Sequence, residues 1–171
     1  MKKIIVIVCS LCLVFMFCSC GKHTKTEDLQ APEGYEKVET SNPDAEDSVT
    51  YENDNISFDI TKEDIKDTFE EDKAMWEEFA NDPDTLKSAN GKGGSIKDGD
   101  ETIYWVSFPE GNGKYYEIDA MVFRDGYSYS IILADKDSLK VEDGDYSKCQ
   151  ELTDKDFEMM DKWLREALES M

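Results

Sequence analysis

The sequence predicts an α+β domain, a single antiparallel β-meander sheet with two amphipathic helices packed on it. Two observations carry this. A helix-start signal occurs twice in the same form, as Ile60-Thr61-Lys62-Glu63-Asp64-Ile65 and as Leu152-Thr153-Asp154-Lys155-Asp156-Phe157. Between these signals lie three Asp-Gly dipeptides, at 98–99, 125–126 and 143–144, and Asp-Gly is a strong marker of tight hairpins.

The elements follow in order. Ile56, Phe58 and Ile60 alternate with Ser57 and Asp59, which is strand periodicity. Asn53-Asp54-Asn55 supplies a turn back to Val49-Thr50-Tyr51. Thr61 is then read as an N-cap, with Asp64 at N3 and Ile60 and Ile65 at the staple positions. The helix is expected over residues 62–80. Ile65, Phe69, Trp76, Phe79 and Ala80 form its apolar stripe, and Asn81-Asp82-Pro83 ends it. Asp72 is the one acid near the middle of that stripe and is expected at its solvent edge.

The central hairpin can be tested on paper. A two-residue turn at Asp125-Gly126 pairs Arg124 with Tyr127, and therefore Val122 with Tyr129, Ala120 with Ile131 and Ile118 with Leu133. One face is then apolar throughout. The other is mixed: Met121/Ser130, Asp119/Ile132 and Glu117/Ala134. The register the turn demands is the one that buries a core. Residues 102–108 form the preceding strand, and residues 95–97 and 139–142 are short candidate edge strands. The second helix is expected from Thr153 to the C-terminus, with Phe157, Met160, Leu164, Leu168 and Met171 on its apolar face. Trp163 falls at the flank of that face, where an exposed indole would anchor a partner or a glycan.

The N-terminus reads as an address. Lys2 and Lys3 precede a 14-residue apolar run, residues 4–17, the size of a signal-peptide core and short for a spanning helix. Phe17-Cys18-Ser19-Cys20-Gly21 follows, then Lys22, His23, Thr24 and Lys25. This stretch resembles the lipobox of bacterial lipoprotein signal peptides, although Phe17 stands where the family usually has Leu and Cys18 is unusual at its position. The resemblance implies cleavage before Cys20 and a diacylglyceryl, palmitate-type anchor on the Cys20 thiol. The expected organisation is a signal peptide at 1–19, a lipid-anchored flexible tether at 20–48 and one domain at 49–171. Residues 35–39 are the alternative, a first edge strand. Localisation is then extracytoplasmic, at the cell membrane.

The element order of hairpin, helix, antiparallel strands and helix is similar to the PsbP-like fold over residues 49–171. The strand Gly126-Tyr127-Ser128-Tyr129-Ser130-Ile131 adds to the likeness. No functional residue comes with this resemblance. A cystatin-like helix-on-sheet fold is the alternative, and the opening hairpin and the final helix count against it.

Composition narrows the chemistry. The 171-residue chain has 40 Asp+Glu against 19 Lys+Arg, a charge of -21 that disfavours nucleic acid as a partner. Loss of residues 1–19 removes two lysines and no acid, giving -23. The only histidine is His23, in the tether, so neither Cys149 nor any serine has an imidazole partner in the domain. No Cys/His cluster suits zinc. Cys149 is expected to be buried and inert. Asn90-Gly91-Lys92-Gly93-Gly94-Ser95 lacks the strand-before, helix-after context of a phosphate loop and reads as a mobile connection. Asp135-Lys136-Asp137-Ser138 and Asp143-Gly144-Asp145 begin like calcium loops but lack the Gly and Glu of an EF-hand. No cofactor, metal site or catalytic residue is therefore expected. The function expected is a non-catalytic envelope module that binds a protein partner or ligand. The alternatives are a solute- or Ca²⁺-binding accessory of a transporter and a carboxylate-dependent hydrolase.

Overall fold

The computed structural model describes residues 25–39, 45, 47–99, 101–141 and 144–170. The chain is α+β, with one seven-stranded antiparallel sheet in the order β1-β2-β3-β7-β6-β5-β4. The strands are β1 (Glu36–Val38), β2 (Ser48–Glu52), β3 (Ile56–Asp64), β4 (Lys92–Asp98), β5 (Glu101–Ser107), β6 (Glu117–Arg124) and β7 (Tyr127–Asp135). The helices are α1 (Phe69–Asn81), α2 (Pro83–Ser88) and α3 (Asp154–Ser170).

The β6–β7 hairpin has the expected register, Arg124↔Tyr127 through Ile118↔Leu133. Asp125 and Gly126 both take positive φ, 52° and 83°, the backbone that matches the twist of a two-residue hairpin. Alternation then builds two cores. Val49, Tyr51, Phe58, Ile60, Ile118, Ala120, Val122, Ile131 and Leu133 face α3. Tyr104, Val106 and Phe123, on the opposite face, pack against α1 together with Ala80 and Trp76.

The same start signal had two fates. At Leu152-Thr153 it begins α3: the Asp156 carboxylate accepts the Thr153 N–H at 2.6 Å and the Thr153 hydroxyl at 2.7 Å, while Leu152 and Phe157 pack on the core. At Ile60-Thr61 the expected helix does not begin. Here β3 continues to Asp64, pairing residue for residue with β7 down to Asp64↔Tyr127. The Lys62 ammonium lies 4.6 Å from the Tyr127 ring centre, and the Ile65 N–H donates to Gly126 O. Nine strand pairings outweigh one local cap, so α1 starts seven residues later than expected.

Other expectations also need correction. The segment read as a tether is in part packed: Leu29 is buried, Thr26 donates to Asp47, and Glu36–Val38 pairs with β2. The edge-strand alternative for residues 35–39 is the one seen, and the folded body reaches back to residue 26. The edge strand expected at 95–97 is present and longer, Lys92–Asp98, so it takes in most of the run 90–95 that was expected to be a mobile connection. Its glycines are steric: a Cβ on Gly93 would lie 2.9 Å from Ala80 O, so only glycine lets α1 and α2 lie this close to β4. Between β4 and β5 Asp98 pairs with Glu101, so Asp98 is a strand residue rather than the first residue of the turn. Of the edge strand expected at 139–142, the described residues 139–141 form none. Both sides of β7 are already paired, and the Asp135 carboxylate, accepting the N–H groups of Asp137 and Ser138, turns the chain into a 3-10 turn, Ser138–Lys140.

Candidate functional site

Two places on the second sheet face combine unusual side chains. The first is on α1. Glu70, Glu71 and Asp72 occupy its first turn, where carboxylates complement the helix dipole. Thr68 Oγ1 donates to Asp72 at 2.6 Å. Asp72 is therefore a first-turn acid rather than a mid-helix one. At the far end Asp82 accepts the N–H groups of Asp84 and Thr85, starting α2 at Pro83; the Thr85 hydroxyl first, then these N–H bonds, hold its carboxyl below the usual range. Phe69, Trp76 and Ala80 turn toward the sheet. About a quarter-turn away, Met75 is 58% and Phe79 37% exposed. Trp76 meets Phe79 edge-on at 6.0 Å, and Phe79 lies 5.8 Å from Phe108. Met75, Trp76 and Phe79 line a shallow recess of about 330 Å³. Helical spacing puts Glu71, Asp72 and Glu78 around Met75 and Phe79. The result is an apolar floor with an acid rim.

The second place is on β6. Glu117 and Asp119 are two apart and share a face, and Asp59 lies in the same row beyond Ile132 of β7. Burial, then the charge and hydrogen bond of Asp119, push the Glu117 carboxyl up to about 7. Burial also raises Asp119. Glu117 therefore holds a proton near neutral pH and shares it with Asp119. Asp59 accepts the hydroxyls of Thr50 at 2.5 Å and Ser57 at 3.2 Å. The chemistry available here is proton donation or storage. The mixed face of the paper hairpin, with Asp119 and Glu117 in alternation, was the signal for this pair.

The other predicted residues fall as follows. Cys20 and His23 lie outside the described residues. Trp163 is not at an exposed flank: it is 6% exposed, meets Phe58 edge-on at 4.5 Å and donates from Nε1 to Gln30 O at 3.0 Å. The stripe of α3 is rotated toward it because Phe58 and Tyr51 offer an aromatic seat. Met160 is buried and Phe157 half-buried as expected, while the side chains of Leu164, Leu168 and Met171 lie outside the described residues. Cys149 is half-buried, and burial followed by Asp135, Asp137 and Asp145 keeps its thiol protonated. Asp145 accepts the Ser147 N–H, and Asp143 lies outside the described residues. Among the described residues no three His, Cys, Asp or Glu side chains are placed to hold a metal ion. No described helix is long and apolar enough to cross a membrane.

No family model and no curated protein matches the sequence.

Proposed function

We propose that the chain is a lipoprotein anchored through Cys20 to the outer side of a cell membrane, with a non-catalytic domain that binds a protein partner. The single observation that carries the binding role is the recess on α1. Met75 and Phe79 hold apolar surface in water on an otherwise acidic chain, at the side of a helix whose buried face is already satisfied by the sheet. Hairpin, helix, strands and terminal helix, with helices on opposite faces, support a PsbP-like reading of the fold over a cystatin-like one. The charge of -21 suits a soluble module and opposes self-association.

A second reading has its own observation. A carboxyl raised to about 7 beside another carboxylate is the pattern of an acid in a carboxylate-dependent hydrolase, with Glu117 as the acid and Asp119 as its partner. The α1 surface is preferred because Met75 and Phe79 stand exposed around a recess, whereas Glu117 and Asp119 are only partly exposed.

The test is photo-cross-linking on intact cells, with the reactive residue at position 75. A discrete adduct absent with the residue at exposed Lys148 is expected, and equal labelling from both positions would refute the binding role. Cys20→Ala is expected to move the protein out of the detergent phase in a Triton X-114 partition. Unchanged partitioning would refute the anchor.

A further inference from the structure

We infer that the recess on α1 receives a cationic amphipathic segment of a partner protein, which sets an apolar side chain against Met75, Trp76 and Phe79 and Lys or Arg against the acid rim. This deepens the binding-module reading and rests on it.

The argument is charge complementarity around a small apolar floor. Glu71 stands four residues before Met75 and Glu78 three after it on the helix surface, and Asp72 stands between Phe79 and Trp76. No Lys or Arg lies on this arc; Lys73 falls toward the sheet side. A second copy of the chain would bring two acid rims together, and like charges in contact cost several kcal/mol. Anionic lipid is repelled for the same reason. A Lys- or Arg-flanked apolar segment instead gains from the rim and is steered by the field of the whole chain. The recess, about 330 Å³, is the size for one or two side chains, not a broad interface. Met75 is an adaptable wall, unbranched and polarisable, that can fit more than one apolar anchor.

The experiment uses the full chain in nanodiscs of uncharged phosphatidylcholine, with empty discs subtracted. Three short helical peptides are titrated: one with apolar anchors flanked by Lys, one with the same anchors flanked by Glu, and one with the Lys residues but Gln in place of the anchors. The Lys-flanked apolar peptide is expected to bind at least ~10-fold more tightly than either of the others. It should weaken as salt rises from about 50 to about 200 mM. Met75→Glu is expected to abolish this binding and Met75→Leu to keep it, with near-UV circular dichroism unchanged because Met75 is exposed. Leu139→Glu, at a 50% exposed position elsewhere, should change nothing. Equal binding of the Glu-flanked peptide, or binding indifferent to Met75→Glu, overturns the inference. So does self-association of the chain that Met75→Glu disrupts, which would give the recess to a second copy. If no peptide binds but position 75 still cross-links on cells, the charge inference fails and the binding module stands. If neither occurs, both fail.

Discussion

Leu29→Ala probes whether residues 26–32 belong to the folded body. Leu29 is 6% exposed and packs in the main core, and its carbonyl accepts the Tyr51 hydroxyl at 2.5 Å. Next to it Gln30 O accepts the Trp163 indole. A buried Leu→Ala change costs about 2–5 kcal/mol, the transfer of the lost methylenes plus the cavity left behind. Leu29 sits on a peripheral strap, and the strap can detach, so the cost is capped by the docking energy of the strap. That energy is at least roughly 2–3 kcal/mol for the leucine with about 1 kcal/mol for each of the bonds from Tyr51 and Trp163, before the Thr26–Asp47 bonds are added. That cap lies near the top of the range, so the leucine's own share sets the expected loss, about 2–3 kcal/mol, or roughly 5–10 °C in Tm for a domain of this size. Urea denaturation followed by tryptophan fluorescence measures it. Tyr51→Phe, which removes only the hydroxyl, is expected to cost about 1 kcal/mol. The double variant should lose less than the sum, since both changes release the same strap. A loss below about 0.5 kcal/mol for Leu29→Ala would show that the segment is a tether and that its packing contributes nothing.

Three further outcomes are expected. Glu117 has a folded-state carboxyl at about 7, above its ordinary value of 4.5, so its charged form is the disfavoured one. Stability is then highest below about 4.5 for this group and is lost as pH rises through about 7. Glu117→Gln should stabilise the protein more at pH 8 than at pH 5, by about 1–2 kcal/mol after allowance for solvent screening of a half-buried group; a pH-independent effect in urea titrations would refute the assignment. Gly93→Ala places a Cβ at 2.9 Å from Ala80 O and is expected to cost about 1–3 kcal/mol, against less than about 0.5 kcal/mol for Gly111→Ala, which meets nothing within 4 Å; thermal melts of the two separate them. Thr153→Ala removes the hydroxyl that donates to Asp156 at the start of α3 and should cost about 1 kcal/mol of denaturation free energy, while Thr61→Ala, in the same sequence context, starts no helix and should cost about half of that or less.

The two capping signals show where sequence reading holds and where it stops. Thr153 had no competing partner, because the chain before it is an irregular loop, so the local cap decided α3. Thr61 had one. The nine-residue β7 offered ladder bonds to every residue as far as Asp64, and that offer comes from a segment about seventy residues away. Gly93 and Gly94 read as a loop for a related reason. Nothing local says that a helix will pass 2.9 Å from where a side chain would be. The strap at 26–32 was invisible because its burial depends on one leucine and on distant polar partners, Asp47 accepting from Thr26 and Tyr51 and Trp163 donating to its backbone. The site is split in the same way. The acids of the Glu117–Asp119 pair could be placed on one face from the hairpin register, but their burial could not. Of the recess residues on α1, the predicted stripe contains Trp76 and Phe79, both as core, and leaves Met75 out.

By itself the sequence determined the α+β class, the β6–β7 register and the start of α3, because each follows from contacts within a few residues or across one tight turn. It also determined the acidity of the chain and the absence of histidine from the domain. Only the tertiary structure decided the extent of β3, the strand at the glycine-run, the strap and the burial of Trp163. It alone left Met75 and Phe79 facing water. The physical reason is common to all of these: each depends on which distant element lies against the segment, and burial is a property of that pairing rather than of the residue.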